Sequence, residues 1–381
     1  MIKSALTILQ FIFILSLSAQ YNIQIAVDSL PSEPGGYELF IAGSFNNWNP
    51  ADAQSQFQRK GNGQFYINLK LSAGVYEYKI TRGSWKEVEC GAGGADRENR
   101  VLKVSNDETL IINIASWKDN FREKVKKHTA NAHVKIIDTA FWIPQLKRTR
   151  RVWIYLPGNY MKYRFPVLYV HDGQNVFDDA TSYAGEWGVD EFLDSTGKSC
   201  IVVAIDNGGN KRLNEYCPYD FTLPGVSSVS GVNKGEGNLY VDFLAKTLKP
   251  FIDRNYRTLK DKAHTFVAGS SMGGLISLYT VLKYPKLFGG AGVFSPAFWV
   301  GPKIFEDIKR KGKEVNAKIY FYAGKQESEN MVIDMLKAFD GMAAVSKSKM
   351  ISVIRDEGKH NEPTWRKEFP LFYKWINPQT P

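Results

Sequence analysis

Short apolar runs separated by Gly, Asn and Pro occupy the first third of the chain. Four of these runs, at 37–42, 64–71, 75–80 and 110–114, alternate apolar and polar residues as strands with one buried face do. No stretch between residues 21 and 117 repeats its apolar residues with the period of a helix. The pattern therefore predicts a small all-β sandwich of the immunoglobulin type over residues 21–117.

From residue 150 onward, apolar runs alternate with longer amphipathic stretches. The apolar runs predict strands and the amphipathic stretches predict helices. This alternation is typical of a mostly parallel, doubly wound sheet covered by helices, and we predict such an α/β fold for residues 150–381. The predicted strands are 151–156, 166–171, 200–205, 264–269, 289–294, 318–323 and 349–355, and the predicted helices are 238–256, 272–284, 329–340 and 363–376.

Residues 1–19 have the parts of a secretory signal peptide. Lys3 supplies positive charge, residues 5–15 are mostly apolar, and the small residue Ala19 precedes an expected cut before Gln20. A membrane anchor is the alternative, but the apolar stretch is shorter than the roughly 20 residues that span a bilayer. We therefore expect a secreted or periplasmic protein with no stable membrane anchor.

The length of 381 residues suits two domains, and 44% hydrophobic with 23% charged residues is the composition of a globular protein. The formal charge of +10 becomes +9 when the single charge of Lys3 is subtracted with the signal peptide. Much of the excess lies around the segment 118–149, which we predict to be a basic linker. These charges lack the interleaved aromatic residues of a nucleic-acid surface, so we expect no nucleic-acid partner.

Three cysteines are too few for a scaffold built on disulfides, although export would permit a bond. Cys200 lies in an apolar strand run and is expected to be a buried thiol. Cys90 and Cys217 could pair with each other, and the sequence does not decide between a bond and two thiols.

A candidate nucleophile lies where a predicted strand meets a predicted helix. Residues 269–273, GSSMG, match the pattern G-x-S-x-G with Ser271 at its centre. In this setting a sharp turn lifts the serine hydroxyl above the sheet edge, and the following helix N-terminus stabilises negative charge beside it. We therefore predict that Ser271 is a catalytic nucleophile.

A serine nucleophile needs a general base, and the base needs an acid that orients it. Among five histidines we choose His360, because it lies in the loop between the last predicted strand and the last predicted helix. The acid is expected between Ser271 and His360 in the chain and just after a strand. Glu327 follows the strand 318–323 and meets both conditions, and Glu329 is the alternative.

Attack of a serine on a carbonyl group also needs two donors for the oxyanion that forms. The backbone N–H of Met272, directly after the nucleophile, is one expected donor. We expect the second to be the N–H of Gln174, in the loop after the strand 166–171. His171 and Asp172 begin this loop, and we expect them to shape it rather than to act as a catalytic pair.

The acyl group of a substrate attacked by this serine needs an apolar surface close to the nucleophile. Three aromatic residues are candidates, and packing in the core is an equal alternative for each: Trp187, Phe298 and Trp299. The chemistry expected of such a site requires neither a metal nor an organic cofactor.

Residues 150–378 resemble the esterase branch of the α/β hydrolases, which includes feruloyl, acetyl-xylan and siderophore (enterobactin-type) esterases, S-formylglutathione hydrolases and mycolyltransferases. The matching stretches are LYVHDGQNVF at 168–177, RLNEY at 212–216, GSSMGG at 269–274, SPAFW at 295–299 and GKHNEPTW at 358–365. The resemblance implies an α/β-hydrolase fold, Ser271 as nucleophile, His360 as base and an acid at Glu327.

Residues 21–117 resemble the glycogen- and starch-binding modules of AMP-activated kinase β subunits and branching enzymes, chiefly through GSFNNW at 43–48. The resemblance implies that aromatic rings stack on sugar faces while amide and ammonium groups bind hydroxyls. The residues implied are Trp48, Lys79, Trp85 and Asn99. The alternative is a spacer or lid in which Trp48 belongs to the core.

The features taken together predict a secreted serine esterase. Its expected partner is an ester substrate, with acylated polysaccharide as the leading class, and a glucan is a candidate ligand of the N-terminal module beside the spacer or lid alternative. Siderophore-lactone hydrolysis and acyl transfer by the same fold are the alternatives within enzymes. A non-catalytic glucan-binding protein is the alternative outside them, and it is weaker because Ser271, Glu327 and His360 are all present.

Overall fold

The computed structural model describes residues 20–31, 38–46, 48–121, 126–197, 200–222, 232–328 and 330–377. These residues form two compact units, the first ending by residue 121 and the second beginning at residue 126. The expected signal peptide and Glu329, the alternative acid, lie outside the described residues.

The first unit is a β-sandwich whose two main sheets share one core. One sheet has the order β3-β4-β1-β8, the other β2-β5-β7, and β6 pairs with β9. Residues of both main sheets, such as Ile25 and Ile67 on one and Ile41 and Ile80 on the other, meet in one hydrophobic cluster. The strands are β1 (Gln20–Ser29), β2 (Phe40–Gly43), β3 (Gln58–Arg59), β4 (Phe65–Ser72), β5 (Gly74–Thr81), β6 (Glu89–Cys90), β7 (Arg100–Val104), β8 (Glu108–Asn113) and β9 (Ser116–Trp117).

The alternating pattern of the sequence accounts for this core. In β4, every second residue from Phe65 to Leu71 is buried and the residues between them face outward. Each of the four predicted runs overlaps a strand. Five further strands, β1, β3, β6, β7 and β9, lie outside these four runs but within the region predicted to be an all-β sandwich.

The second unit is built on an eight-stranded sheet in the order β10-β11-β13-β12-β14-β15-β16-β17. The six strands from β13 to β17 in this order run parallel, whereas β10 and β11 at one edge are antiparallel. The strands are β10 (Val134–Ile143), β11 (Arg148–Tyr155), β12 (Val167–His171), β13 (Ile201–Ile205), β14 (Thr265–Ser270), β15 (Gly290–Phe294), β16 (Lys318–Gly324) and β17 (Lys349–Arg355). The seven predicted strands correspond to β11 through β17.

Helices cover both faces of this sheet, as the predicted α/β fold requires. They are α1 (Val189–Thr196), α2 (Arg212–Tyr216), α3 (Gly237–Phe243), α4 (Lys249–Asn255), α5 (Met272–Lys283), α6 (Ile304–Lys311), α7 (Met331–Val345) and α8 (Glu362–Ile376). Tyr320 and Tyr322 of β16 face the cluster that α8 completes, while Phe321 between them packs on Phe339 of α7. A turn of π-helix, Leu244–Leu248, joins α3 to α4, so the predicted helix 238–256 is one continuous helical segment.

The segment predicted to be a linker contains a strand instead. Residues 134–143 form β10, which pairs with β11 at the sheet edge. Most side chains of β10 are exposed or only half-buried, and its register shifts twice, so it lacks the apolar run that marks the interior strands. An edge strand of this kind has a weak sequence signal.

The basic residues next to this segment are paired with acids. Arg148 contacts Glu236 at 2.6 Å and the buried Glu215 at 2.8 Å, and Arg150 also contacts Glu215. Arg151 contacts Asp206 at 2.9 Å. These arginines therefore neutralise acidic groups of their own unit.

The three cysteines, Cys90, Cys200 and Cys217, are free thiols and all are buried. The possible bond between Cys90 and Cys217 is therefore absent, and the expected buried thiol at Cys200 is confirmed. Burial raises the pKa of Cys200 to about 12 and that of Cys217 to about 11. Among the helices of the described residues, none is long and apolar enough to cross a membrane.

Candidate active site

Ser271 lies on a sharp turn at the carboxyl end of a central strand. Strand β14 ends at Ser270 and helix α5 begins at Met272, so the single residue between them makes the turn. Ser271 has φ 58° and ψ −120°, a conformation that costs a non-glycine residue on the order of 1–3 kcal/mol. Its N–H donates to the Phe294 carbonyl at 2.9 Å, which ties the turn to the end of β15. The geometry is that of a nucleophile elbow.

The backbone N–H groups of Met272 and Gln174, the two expected oxyanion donors, donate to no protein acceptor in the hydrogen bonds of the described residues. Gln174 lies in a short 3₁₀ turn, Gly173–Asn175, at the end of β12. The turn is close to α5, because a Cβ on Gly273 would lie 3.5 Å from Asp172 Oδ2. A Cβ on Gly173 would lie 2.7 Å from the Ile205 backbone, so only glycine permits this approach.

Asp172 anchors the turn that carries Gln174. Its carboxylate accepts two bonds from Arg212, at 2.7 and 2.8 Å, and one from Asn207 at 2.7 Å. Its N–H donates to Tyr216 Oη at 3.1 Å. Burial alone would raise the pKa of Asp172, but Arg212 and Asn207 together bring the pKa below its usual value. The aspartate is therefore an ionised structural group, as its place in the loop predicts.

His171 is unsuited to act as a base. It is buried, and its Nδ1 lies 2.9 Å from Tyr240 Oη. Burial lowers the pKa of His171 to about 3, so the imidazole is neutral at any ordinary pH. The sequence-based interpretation of His171 as part of the loop architecture agrees with this environment.

Glu327 and His360 are joined by a hydrogen bond of 2.7 Å between Glu327 Oε2 and His360 Nδ1. The carboxylate of Glu327 is completely buried, whereas the His360 side chain is 39% exposed. The other oxygen, Oε1, accepts the Gly324 N–H and the Ser295 hydroxyl, both at 2.7 Å. The longer side chain of glutamate therefore folds back over the end of β16 to reach His360.

Two glycines hold the loops of these residues together. A Cβ on Gly358 would lie 2.6 Å from the Gly324 Cα, and a Cβ on Gly324 would overlap the Gly358 carbonyl oxygen. The Gln326 N–H donates to that same carbonyl at 3.0 Å. Since no side chain separates the two backbones, the loop after β16 and the loop after β17 stay in register.

Ser271 lies at the same edge of the sheet as this pair. Ser270 is in register with Phe294, and the next residue, Ser295, bonds to Glu327. The hydrogen bonds of the described residues do not include one between Ser271 Oγ and His360 Nε2. In enzymes without bound substrate such bonds are often long, and they shorten in the substrate complex.

Two of the three residues predicted to line an acyl pocket belong to the core instead. Trp187 packs edge-on against Phe294, with ring centres 5.1 Å apart, and Phe298 is completely buried. Their large apolar area is removed from water by the packing of the helices on the sheet. Trp299, at 45% exposure, remains accessible to a ligand.

In the first unit, the two predicted tryptophans lie side by side. The rings of Trp48 and Trp85 have centres 6.2 Å apart, and Trp85 is 42% exposed. Lys79 donates to the Arg97 carbonyl at 2.6 Å, and Asn99 donates to Glu77 at 3.0 Å. Trp48 is half-buried and has φ 55°, so it is held in a turn with part of its surface exposed rather than in the core.

Two residues that contact the site were not singled out from the sequence. The buried Ser295 donates to Glu327, and the buried Trp365 donates to Ser295 and packs edge-on against His360 at 5.1 Å. Both lie in stretches that carry the family resemblance, SPAFW and GKHNEPTW. Within the described residues, no group of His, Cys, Asp and Glu side chains could hold a metal ion.

Comparison with protein families assigns the chain to a known group. The sequence model of the "Putative esterase" family matches residues 143–374, which is more than half of the chain. The chain belongs to this esterase family. A second model, that of the pullulanase X25 domain, matches residues 40–125 in the first unit. The predicted family resemblance and the predicted carbohydrate-binding type of the first unit are both confirmed at this level.

Several curated proteins are similar to parts of this esterase-family chain. An alpha-amylase of Niallia circulans is 40% identical over 90 residues, 23% of this chain and 7% of its own length. The uncharacterized protein YbbA of Bacillus subtilis is 29% identical over 154 residues, 39% of this chain and 58% of its own length. An endo-1,4-beta-xylanase/feruloyl esterase of Xylanibacter ruminicola is 26% identical over 243 residues, 62% of this chain and 30% of its own length. The chain therefore spans only part of the length of these relatives.

Solved structures share the fold of the esterase-family chain. The BES protein of Bacillus cereus has a TM-score of 0.54 at 18% identity, over 66% of this chain and 97% of that protein. An IroE-like serine hydrolase of Shewanella oneidensis has a TM-score of 0.51 at 20% identity, over 66% and 79% of the two chains. The enterobactin esterase FES of Shigella flexneri has a TM-score of 0.51 at 18% identity, over 89% and 87%. These similarities establish the α/β-hydrolase fold that the sequence predicts.

Proposed function

We propose that this protein is a secreted serine esterase that hydrolyses carboxylic esters through Ser271, His360 and Glu327. The observation that carries the proposal is the 2.7 Å bond between buried Glu327 and exposed His360, at the sheet edge where Ser271 forms a nucleophile elbow. A buried acid, an accessible imidazole and a serine on a strained turn are the three parts that nucleophilic acyl transfer needs. Family membership supports the same reaction class.

In the proposed reaction, Ser271 Oγ attacks the ester carbonyl while His360 Nε2 takes the hydroxyl proton. Glu327 holds the other ring nitrogen in its protonated form and stabilises the imidazolium. The N–H groups of Met272 and Gln174 donate to the oxyanion, each contributing roughly 3 kcal/mol to the transition state. His360 then returns the proton to the leaving alkoxide. Water activated by the same imidazole cleaves the acyl-enzyme.

We propose an acylated carbohydrate as the substrate class. The X25 match over residues 40–125 supports this substrate class, because the X25 domain is named after a pullulanase, an enzyme that acts on a glucan. The Xylanibacter relative, whose name couples a xylanase with a feruloyl esterase, supports it as well. In this proposal the exposed Trp299 contributes to binding of the acyl group, and the Trp48–Trp85 pair binds glucan with Lys79 and Asn99 beside it.

We also propose export, with residues 1–19 as the cleaved signal. Buried thiols with raised pKa values suit an oxidising compartment, because thiolate rather than thiol reacts with disulfides. Export, to the periplasm or the medium, would bring the protein to carbohydrate outside the cytoplasm.

Covalent labelling tests the reaction. Wild-type protein should react with a fluorophosphonate probe, and Ser271→Ala should not. The control is Ser270→Ala, which changes the neighbouring buried serine and should still be labelled. A folded wild type that takes no label would reject the serine mechanism. Hydrolysis of methyl ferulate, acetylated xylan and a trilactone siderophore then tests the substrate class. Turnover of the siderophore alone would reject the carbohydrate proposal and leave the serine mechanism intact.

A further inference from the structure

Two buried residues outside the proposed triad form a directed chain of hydrogen bonds that ends on Glu327. The indole Nε1–H of Trp365 donates to Ser295 Oγ at 2.9 Å, and Ser295 Oγ lies 2.7 Å from Glu327 Oε1. An indole N–H is a donor only, so Ser295 Oγ is the acceptor in the first bond. The hydroxyl hydrogen of Ser295 is thereby directed to the carboxylate.

We infer that Ser295, oriented by Trp365, is a positioning residue that fixes the Glu327 carboxylate and through it the tautomer of His360. The inference rests on the proposed function. Ser295 and the Gly324 N–H saturate Oε1, which leaves Oε2 as the oxygen that meets His360 Nδ1. A carboxylate held by two donors on one oxygen cannot rotate without leaving both of them unpaired, at a cost of about 1–3 kcal/mol each.

The backbone at Ser295 supports a role for its side chain. Ser295 is completely buried and has φ 42°, in the left-handed region that favours glycine. Its N–H donates to the Tyr322 carbonyl at 2.7 Å, which ties this strained residue to the end of β16. Glycine would adopt this conformation without strain, so the backbone gains nothing from serine. The hydroxyl is what serine adds at this position.

Trp365 contacts both Ser295 and His360. Its ring packs edge-on against the His360 imidazole at 5.1 Å, while its N–H holds Ser295. Trp365 is 4% exposed and belongs to α8, whose N-terminus follows the His360 loop directly. The packing of α8 on the sheet therefore sets the direction of the Ser295 hydroxyl and one wall of the imidazole together.

The proposal predicts a loss in turnover with little change in substrate binding. Ser295→Ala should lower kcat about 10- to 100-fold, the range expected for one hydrogen bond to a charged group, with KM nearly unchanged. Ser295→Gly should lose the same rate but have a higher Tm than Ser295→Ala, because both variants lack the hydroxyl and only glycine relieves the backbone strain at φ 42°. Thr280→Val removes another buried hydroxyl, one bonded to the Ile276 carbonyl in α5, and should retain full activity.

A double-mutant cycle separates positioning from a general structural effect. If Ser295 acts only through the Glu327 carboxylate, Ser295→Ala should cause no further loss in a Glu327→Gln background. An equal loss in both backgrounds would overturn the inference, as would wild-type kcat in Ser295→Ala. These outcomes are distinct from failure of the proposed function, in which wild-type protein would take no fluorophosphonate label at all.

Discussion

Replacing Glu327 with glutamine exchanges one carboxylate oxygen for an NH₂ group. This change should move the ring proton of His360 from Nδ1 to Nε2. Ser295 and Gly324 both donate to the position of Oε1, so the amide oxygen must occupy it. The amide NH₂ then replaces Oε2 and faces His360 Nδ1, which is 2.7 Å away in the wild type. To avoid a clash between two donors, Nδ1 must become the acceptor and the ring proton must move to Nε2. That nitrogen can then no longer take a proton from Ser271.

The size of the effect follows from the alternatives open to the glutamine. Flipping the amide would restore the productive tautomer, but it would aim the NH₂ at two buried donors and leave both unpaired. At about 1–3 kcal/mol for each donor, the flip costs about 2–6 kcal/mol. The wrong tautomer in a serine protease triad lowers kcat about 10⁴-fold, or about 5 kcal/mol. We therefore expect Glu327→Gln to lower kcat about 10³- to 10⁴-fold.

Steady-state hydrolysis of p-nitrophenyl acetate, with Tm measured alongside, is the assay. Glu327→Ala is the informative control, because an imidazole with no partner at Nδ1 is free to adopt either tautomer. The glutamine variant should therefore be no more active than the alanine variant. A glutamine variant within tenfold of wild type, or clearly faster than the alanine variant at equal Tm, would refute the argument from donor directions.

Three further predictions concern other parts of the molecule. Burial raises the pKa of Glu186 to about 7, so the folded state binds a proton more tightly than the unfolded state does. The free energy of unfolding of the wild type should therefore fall by up to about 3 kcal/mol as the pH rises from about 4.5 to 7. Urea unfolding at pH 5 and pH 8 should show a larger loss in wild type than in Glu186→Gln, in which the raised pKa values of Asp190 and Glu191 still act, and parallel profiles would contradict the prediction. In affinity electrophoresis through glycogen or starch gels, Trp48→Ala and Trp85→Ala should each weaken retardation about tenfold through lost ring contact, whereas wild type that migrates freely in every gel would reject sugar binding. Gly324→Ala should lower both kcat and stability, the latter by about 1–3 kcal/mol, because its Cβ overlaps the Gly358 carbonyl; a variant with wild-type Tm would show that the loops can separate.

The sequence predicted the framework of the second unit well because its strands are interior and parallel. Runs such as Ile201–Ile205 are buried throughout, so a continuous apolar stretch marks each one. The same logic predicted Ser271, Glu327 and His360, since each comes after a strand and the carboxyl ends of parallel strands meet at one edge. Strand β10 escaped prediction because its mostly exposed side chains leave no such run.

The surroundings of individual side chains were harder to predict than the positions of the strands and helices. Trp187 and Phe298 were candidates for a pocket, yet both lie in the core, because a large aromatic residue near an active site has the same sequence signal in either place. The link from Trp365 to Ser295 joins residues 70 positions apart, and its direction depends on donors that only the folded chain brings together. No local pattern carries that information.

The contact between Gly324 and Gly358 has a consequence for genetic screens of this protein. Neither residue carries a functional group, yet the spacing between Glu327 and His360 depends on the absence of a side chain at both glycines. A saturation-mutagenesis map scored by turnover would therefore mark both glycines as intolerant of every substitution, as strongly as the three proposed catalytic residues. Scoring the same library by protein abundance would separate the groups, because the glycine variants lose folded protein and Ser271→Ala should not.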